Sequence, residues 1–211
     1  MKTVYLLLTR SSTIFSRLIR LCTGAFYTHV SLSVGFSESA RSECGFYSFG
    51  RKHSLLWFPA GFVREDRDGG FFRRFPRTPC TLLALDVPDD TYRKIRVMLE
   101  QMIAHQRLYR YNLIGALLCG LGIRYERPGR YFCSQFAGEI LQRSHAAHIP
   151  KPAALMQPAD YLSLPGIRTV FSGTVGERFG YVSPRRDSCR KMQGILAFLP
   201  GLCYTEARTN K

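Results

Sequence analysis

The strongest constraint on the fold of this chain is a strict alternation of polar and apolar residues over positions 28–34. Val30, Leu32 and Val34 alternate there with a histidine and two serines, a pattern typical of a β-strand with one buried face. A polar loop follows, and then a second predicted strand at 44–49. The two strands predict a hairpin, and therefore an antiparallel sheet with one face covered.

Apolar periodicity and helix-capping residues predict the other elements of the chain. Strands are predicted at 4–8, 80–87 and 167–175, and helices at about 14–22, 92–106, 111–123 and 133–144. Residues 50–79 are rich in Gly, Pro, Arg and aromatic residues and predict a long ordered loop or lid. The set of elements predicts an α+β fold, with an antiparallel sheet packed against helices.

The length of 211 residues fits one ordinary domain. We expect residues 1–175 to form that domain and residues 176–211 to be a basic C-terminal tail, peripheral or poorly ordered. No apolar run approaches the ~20 residues that span a bilayer. The apolar start of the chain is short and is followed by arginines rather than by a cleavage site, so we expect a cytoplasmic protein without a transmembrane segment.

The formal net charge of +15 is large for this length. Such a charge attracts anionic partners, so an anionic surface stays open as a partner. The basic residues are scattered, however, and no nucleic-acid-binding motif organises them, so specific nucleic-acid binding is not expected.

The seven cysteines are widely spaced, and none belongs to a Cys-x-x-Cys pair. An odd number in this arrangement predicts neither a disulfide framework nor a zinc site. We therefore expect no metal and no other cofactor. Most of the thiols should behave as small buried hydrophobic groups.

Cys133 differs from the other cysteines because it lies at the predicted start of a helix. A turn at 127–130 precedes it, and Phe136, Ile140 and Leu141 follow at the spacing of one buried helix face. Free backbone N–H groups and the helix dipole lower the pKa of a thiol at this position and can hold an oxyanion. The position suits a nucleophile, although a structural cysteine in a buried helix would give the same pattern.

His29 is the histidine best placed to act as the base for this cysteine. It opens a predicted strand and shares a strand face with Ser31 and Ser33, whereas the other four histidines lie in a loop, on a helix surface or after a helix. A cysteine–histidine pair needs rigid elements on both sides. We therefore predict a catalytic dyad of Cys133 and His29, with an ordinary structural histidine as the alternative.

Four short motifs occur in a characteristic order. They are His29-Val30-Ser31-Leu32, Tyr109-Arg110-Tyr111-Asn112, Tyr131-Phe132-Cys133-Ser134-Gln135-Phe136 and Gln157-Pro158-Ala159-Asp160-Tyr161-Leu162. The order resembles that of the circularly permuted branch of the papain-like, NlpC-type cysteine hydrolases, which includes YiiX-like proteins and relatives of lecithin retinol acyltransferase. In papain the cysteine precedes the histidine, whereas in the permuted branch, as here, the histidine comes first. The resemblance covers roughly residues 3–175.

The resemblance implies a thiol hydrolase of the peptidase or amidase type that acts through a thioester on Cys133, with His29 protonating the leaving group. The implied substrates are peptides, amides or other acyl compounds. It also implies a third polar residue that orients the imidazole, on the strand after the histidine strand. Ser48 is the best-placed candidate for this catalytic position, with Glu43 and Tyr47 as alternatives.

Position and aromatic content suggest three substrate-binding residues, Tyr111, Asn112 and Trp57. Two other functions remain open. A serine at the third position cannot stabilise an imidazolium by charge, which favours a catalytically weak or inactive binding module of the same fold. The acyltransferase relatives and the positive charge favour a membrane-surface acyltransferase or lipid hydrolase.

Overall fold

A computed structural model describes residues 1–10, 20, 24–35, 45–51, 60–65 and 70–180 of the chain. Within these residues the strands are β1 Lys2–Thr9, β2 His29–Val34, β3 Phe46–Arg51, β4 Ala60–Glu65, β5 Pro79–Val87, β6 Arg110–Tyr111, β7 Arg130–Tyr131 and β8 Ile167–Thr174. The α-helices are α1 Gly70–Arg74, α2 Asp89–Ala104, α3 Leu113–Gly120, α4 Cys133–Arg143 and α5 Val175–Phe179. Short 3₁₀ helices occupy Gln106–Leu108, Ala153–Leu155 and Pro158–Ser163.

The strands form a single mixed sheet in the order β7-β6-β4-β3-β2-β1-β5-β8. The two-residue strands β6 and β7 pair in parallel, and the other recorded pairings are antiparallel. The predicted α+β class with a mostly antiparallel sheet is therefore confirmed.

Both faces of the sheet are covered. Successive side chains of β1 point to opposite sides, and the side chains of each side pack in their own apolar cluster. Val4, Leu6 and Leu8 pack with residues of α2 and α4 in the larger core. Tyr5 and Leu7 pack on the other side, in a second cluster that includes residues of α1 and α5. Helix α4, which begins with Cys133, lies against β2 and β3.

The predicted strands at 4–8, 28–34, 44–49, 80–87 and 167–175 are present with shifts of a few residues at their ends. The helices predicted at 92–106, 111–123 and 133–144 are present as α2, α3 and α4. The helix predicted at 14–22 lies almost wholly outside the described residues.

Two boundaries differ from the prediction. The expected loop at 50–79 contains β4 and α1, so the prediction of an irregular segment is wrong there. Residues 176–179 belong to α5, and Phe179 is buried against Phe46 and Phe72. The change from domain to tail therefore does not fall at residue 176, while residues 181–211 lie outside the described part of the chain. Among the described helices, none is both long and apolar enough to cross a membrane.

Candidate active site

Cys133 is the first residue of α4, as the sequence predicts. The preceding Phe132 has an extended backbone, with φ −106° and ψ 169°, and the chain turns into the helix directly after it. Phe136, Ile140 and Leu141 are buried on the helix face that packs against the sheet. This packing fixes the position of the helix start and therefore of Cys133, which is 5% exposed.

The imidazole of His29 lies between the Cys133 thiol and the Glu65 carboxylate. Its Nε2 is 2.7 Å from Oε1 of Glu65, and the two side chains are only 18% and 13% exposed. The ring also makes a hydrogen bond with the Cys133 side chain. Because Glu65 occupies Nε2, Nδ1 is the nitrogen left to serve the thiol. The structure thus brings the predicted pair together and adds a carboxylate.

The charges of Glu65, His29 and Cys133 stabilise one another, whereas burial disfavours the charged forms of His29 and Cys133. Burial opposes an imidazolium, but the Glu65 carboxylate and the Cys133 thiol outweigh it and raise the pKa of His29 well above its ordinary value. Burial likewise opposes a thiolate, but the His29 ring and backbone N–H groups of Val30 and Ser134 lower the pKa of Cys133. Both shifts act in the direction of a thiolate–imidazolium pair.

Burial of Glu65 supports the same charge state. Its second oxygen, Oε2, is buried and has no hydrogen-bond partner among the residues that the structure describes. A buried carboxylate with one free oxygen is costly unless a positive charge lies beside it. The imidazolium of His29 supplies that charge.

The other described cysteines behave differently. Burial raises the pKa of Cys80 to about 12 and that of Cys119 to about 11. Both thiols are therefore protonated and unreactive near neutral pH. Among the described cysteines, Cys133 alone has a lowered pKa.

The backbone of Val30, which pairs with Leu8 of β1 in the sheet, also contacts the site. Its N–H faces the Cys133 sulfur, and its carbonyl accepts a 2.6 Å hydrogen bond from the Ser48 hydroxyl. In an antiparallel strand the N–H and C=O of one residue point to the same neighbour, which here is β3. The recorded pairing between β2 and β3 is at Leu32 and Tyr47. Two residues earlier on β2, the backbone groups of Val30 instead contact the side chains of Ser48 and Cys133.

Ser48 is therefore not the residue that orients the imidazole, because its hydroxyl is directed at the Val30 carbonyl. Glu65 holds that position. Of the two alternatives, Glu43 lies outside the described residues, and the Tyr47 ring stacks on Phe62 with centroids 6.0 Å apart. Sequence reasoning missed Glu65 because its strand falls in the segment predicted to be a loop. The short apolar pair Phe62-Val63, separated from Glu65 only by Arg64, was the available signal.

A narrow cleft opens onto Cys133, with a volume of about 20 Å³, room for roughly one water molecule. It is lined by Ala25, Tyr27, Thr28, Tyr111, Ala116, Cys119, Gly120, Phe132, Cys133, Ser134, Gln157 and Pro158. Tyr111 lies in this lining, and burial together with the Cys133 charge raises its pKa well above the ordinary value.

Asn112 has a structural position instead. Its side chain accepts from the Gly115 N–H at 3.0 Å, as the N-cap of α3, and donates to the Tyr125 carbonyl at 3.2 Å. Both the oxygen and the nitrogen of the side-chain amide are therefore already hydrogen-bonded to the backbone. Trp57, the third residue expected to bind substrate, lies outside the described residues.

Tyr161 fixes the first turn of the nucleophile helix from behind. It is fully buried, and its hydroxyl donates a 2.5 Å hydrogen bond to the Ser134 carbonyl. Gly138 on α4 permits this approach, because a Cβ there would lie 3.2 Å from both the Tyr161 hydroxyl and Ala153 Cβ. The 3₁₀ segments after α4 thus hold the backbone next to Cys133 in place.

Within the described part of the chain, no group of three or more His, Cys, Asp or Glu side chains is arranged to hold a metal ion.

Comparison with known proteins adds little to this description. No protein-family model matches the sequence, and no curated protein matches it either. Among solved structures, the chain is similar to the metalloprotein yiiX from Escherichia coli O157:H7, with a TM-score of 0.46 and 11% sequence identity. The match covers 81% of this chain and 97% of that one. A similarity at this level leaves the family open.

Proposed function

We propose that this chain is a thiol hydrolase of the peptidase or amidase type, with a permuted papain-like, NlpC-type fold and a triad of Cys133, His29 and Glu65. One observation carries the proposal. A single buried imidazole contacts a thiol at the start of a helix on one side and a carboxylate, at 2.7 Å, on the other. Nucleophile, base and orienting group are the parts that acyl transfer requires.

In the first half of the reaction, the Cys133 thiolate attacks the carbonyl carbon of the substrate. The new C–S bond gives a tetrahedral oxyanion, which N–H groups at the start of α4, including that of Cys133, are placed to stabilise. The His29 imidazolium then gives its proton to the leaving amine or alcohol as that bond breaks. A thioester and a neutral imidazole remain.

In the second half, the neutral imidazole removes a proton from water, which attacks the thioester carbon. The C–S bond breaks, the acid product leaves, and thiolate and imidazolium are restored. Glu65 stabilises the imidazolium formed in this half and fixes the ring through Nε2. The proton therefore moves between His29 and the substrate or water, and Glu65 orients the ring throughout.

The case for a non-catalytic binding module depended on a serine at the third position. With Glu65 beside the ring, that argument no longer applies. We therefore place the hydrolase above the binding module.

The proposal is tested by following acylation of Cys133 with p-nitrophenyl acetate. We expect a burst of nitrophenol, an acetyl group on Cys133 by mass spectrometry, and then slow turnover. The burst rate should rise with pH with a midpoint below ~8.5, the value of an ordinary thiol, because the pKa of Cys133 is lowered.

His29→Ala should shift that midpoint upward by at least about one pH unit, since it removes the main stabiliser of the thiolate. His105→Ala, which alters an exposed histidine on the end of α2, is the matched control and should leave it unchanged. Acetylation at other residues with Cys133 unmodified would contradict the proposal.

A further inference from the structure

The cleft at Cys133 is bordered by the inner side of α3 and by the first turn of α4. Ala116, Cys119 and Gly120 come from α3, while Cys133 and Ser134 come from α4. Neither His29 nor Glu65 is among the described residues that line it. The thiol therefore contacts the imidazole on one side and borders the cleft on another.

This arrangement matches the cleft to one part of the substrate. The leaving group has to meet the His29 ring, because the ring gives it a proton in the proposed reaction. The carbonyl carbon bonds to the sulfur, so the acyl chain beyond that carbon needs a separate space beside Cys133. The cleft borders the sulfur without bordering the ring, and it offers that space.

The cleft is narrow enough to select acyl groups by length. Its volume of about 20 Å³ holds roughly one water molecule, and a methyl group is of similar size. An acetyl group fits, because a single methyl group extends beyond its carbonyl carbon. A longer acyl chain has to displace part of the wall.

The wall that such a chain would meet is fixed in several ways. Ala116, Cys119 and Phe132 form one buried cluster. The Cys119 thiol donates to the Met156 carbonyl at 3.6 Å, and the Asn112 side chain caps the start of α3. Closely packed side chains resist displacement, so the cleft should discriminate between acyl groups that differ by one methylene.

The lining also disfavours a charged acyl group. Apart from Cys133, the described residues that line the cleft are uncharged types. The charges of Lys151 and Asp160 act on Cys119 in opposite directions, and the two side chains pair at 2.8 Å. The Cys133 thiolate is no lasting counter-ion, since acylation makes it a neutral thioester. A charged acyl group would therefore lose its water without gaining a partner.

We propose that the cleft is an acyl pocket for short, uncharged acyl groups of the size of acetyl, and that Cys119 limits their length. Cys119 has this role because its side chain is the largest that α3 contributes to the lining. The inference rests on the proposed function and names the substrate class of the same site.

The test compares the burst rates of the p-nitrophenyl esters of acetic, propionic and butyric acid. Each rate is divided by the rate of the same ester with free glutathione, which removes differences in intrinsic reactivity. In every case a C–S bond to Cys133 forms and p-nitrophenolate leaves. We expect the normalised rate to fall at least about tenfold for each added methylene, the usual discrimination of an apolar pocket.

Cys119→Ala should raise the ratio of the propionate rate to the acetate rate at least about tenfold, because it removes the sulfur from the wall. Ala116→Gly removes a methyl group from the same wall and should change the ratio in the same direction. Cys80→Ala is the matched control. It makes the same substitution in the second core cluster and should keep the ratio of the unaltered chain.

The selection against charge is tested in the double variant Ala116→Gly, Cys119→Ala, whose pocket is larger. The probe is the p-nitrophenyl ester of β-alanine, in which an ammonium group replaces the end methyl group of the butyryl chain. After normalisation, butyrate should react at least about tenfold faster than this ester, because the ammonium group has to be desolvated.

Three results would overturn the acyl pocket while the thiol chemistry stands. They are equal normalised rates for acetate and butyrate with the acyl group on Cys133, an unchanged propionate-to-acetate ratio in both enlarging variants, and equal rates for butyrate and the β-alanine ester. Failure of every ester to acylate Cys133 would instead contradict the proposed function, and the pocket with it.

Discussion

At the scale of single residues, the imidazole of His29 carries a charge that depends on two neighbours at once. The Glu65 carboxylate and the Cys133 sulfur both favour the imidazolium, and burial opposes it. Because the ring in turn lowers the pKa of Cys133, a change at Glu65 should be felt at the sulfur. The carboxylate therefore acts on the nucleophile through the histidine.

Glu65→Gln tests this indirect action. The amide keeps a group of the same size beside Nε2 but removes the charge, so the pKa of His29 should fall and that of Cys133 should rise. We expect alkylation of Cys133 by iodoacetamide at neutral pH to slow about tenfold, the effect of one pKa unit on the thiolate fraction. The alkylation rate against pH measures the shift directly.

Ser48→Ala is the comparison for that experiment. It removes the hydroxyl that donates to the Val30 carbonyl and should cost about 1 kcal/mol of stability, with little change in the alkylation midpoint. Equal midpoint shifts in the two variants would show that packing around β2, rather than the Glu65 charge, controls the thiol.

Sequence patterns predicted Cys133 and His29 as a pair but missed Glu65. The first two open regular elements, so local periodicity marks their positions, and the order of the short motifs around them singled them out. Glu65 ends a strand that has little alternation of its own and forms through pairing of Gly61 and Val63 with β3. Its contact with His29 spans 36 positions of the chain, and a tertiary contact of this kind has no local signature.

At the scale of elements, the position of α4 depends on how closely the 3₁₀ segments approach it. Gly138 faces Ala153 and the Tyr161 hydroxyl, and the hydroxyl is held by its bond to Ser134. Neither neighbour moves easily, because the Ala153 methyl group can move only with its backbone and Tyr161 is fully buried.

Gly138→Ala should therefore destabilise the protein, although alanine favours helix formation by about 1 kcal/mol. Overpacking of this kind typically costs 1–3 kcal/mol, and we expect a net loss of about 1 kcal/mol in the free energy of unfolding by urea denaturation. Gly50→Ala is the control, since its added Cβ would make only ordinary contacts at 3.7 and 3.8 Å. Stabilisation by Gly138→Ala would show that the 3₁₀ segments shift to make room for the added methyl group.

Most elements followed from the sequence because their apolar residues are periodic. The exceptions are β4, β6 and β7 among the strands, and α1 and α5 among the α-helices. Strands β6 and β7 have only two residues each, too few to show a period, and they exist because Arg110 and Arg130 pair across the chain. Their formation is a property of the assembled sheet.

At the scale of the whole molecule, the sheet brings together groups from β2, β4 and α4 that are far apart in the chain. The α+β class was predictable, because it depends on counting and ordering elements. The contacts of the Val30 backbone with Cys133 and Ser48 could not be predicted in this way. They depend on how side chains pack around β2 and β3 once the sheet has formed.

The buried thiolate–imidazolium pair has a consequence for the stability of the entire fold. In the thiolate–imidazolium state, the folded pair holds one proton, on His29. An unfolded chain between about pH 6.5 and 8.5 also holds one, on the cysteine instead. Wherever both conditions apply, unfolding takes up and releases no net proton at these two groups, so they add no slope to the free energy of unfolding against pH.

Outside that window the two groups act in opposite directions. Below it, the unfolded histidine gains a proton, and the stabilisation due to the lowered pKa of Cys133 is lost as pH falls. Above it, the unfolded cysteine loses its proton, and the stabilisation due to the raised pKa of His29 is lost as pH rises. We expect urea denaturation across pH to show a plateau with a decline on each side, and Cys133→Ser to flatten the acid decline, because the alkaline one depends on the pKa of His29, which Glu65 still raises. Because the proton changes its atom on unfolding without leaving the molecule, the site would have no effect on the pH dependence of stability near neutrality, although its contribution to stability is present there.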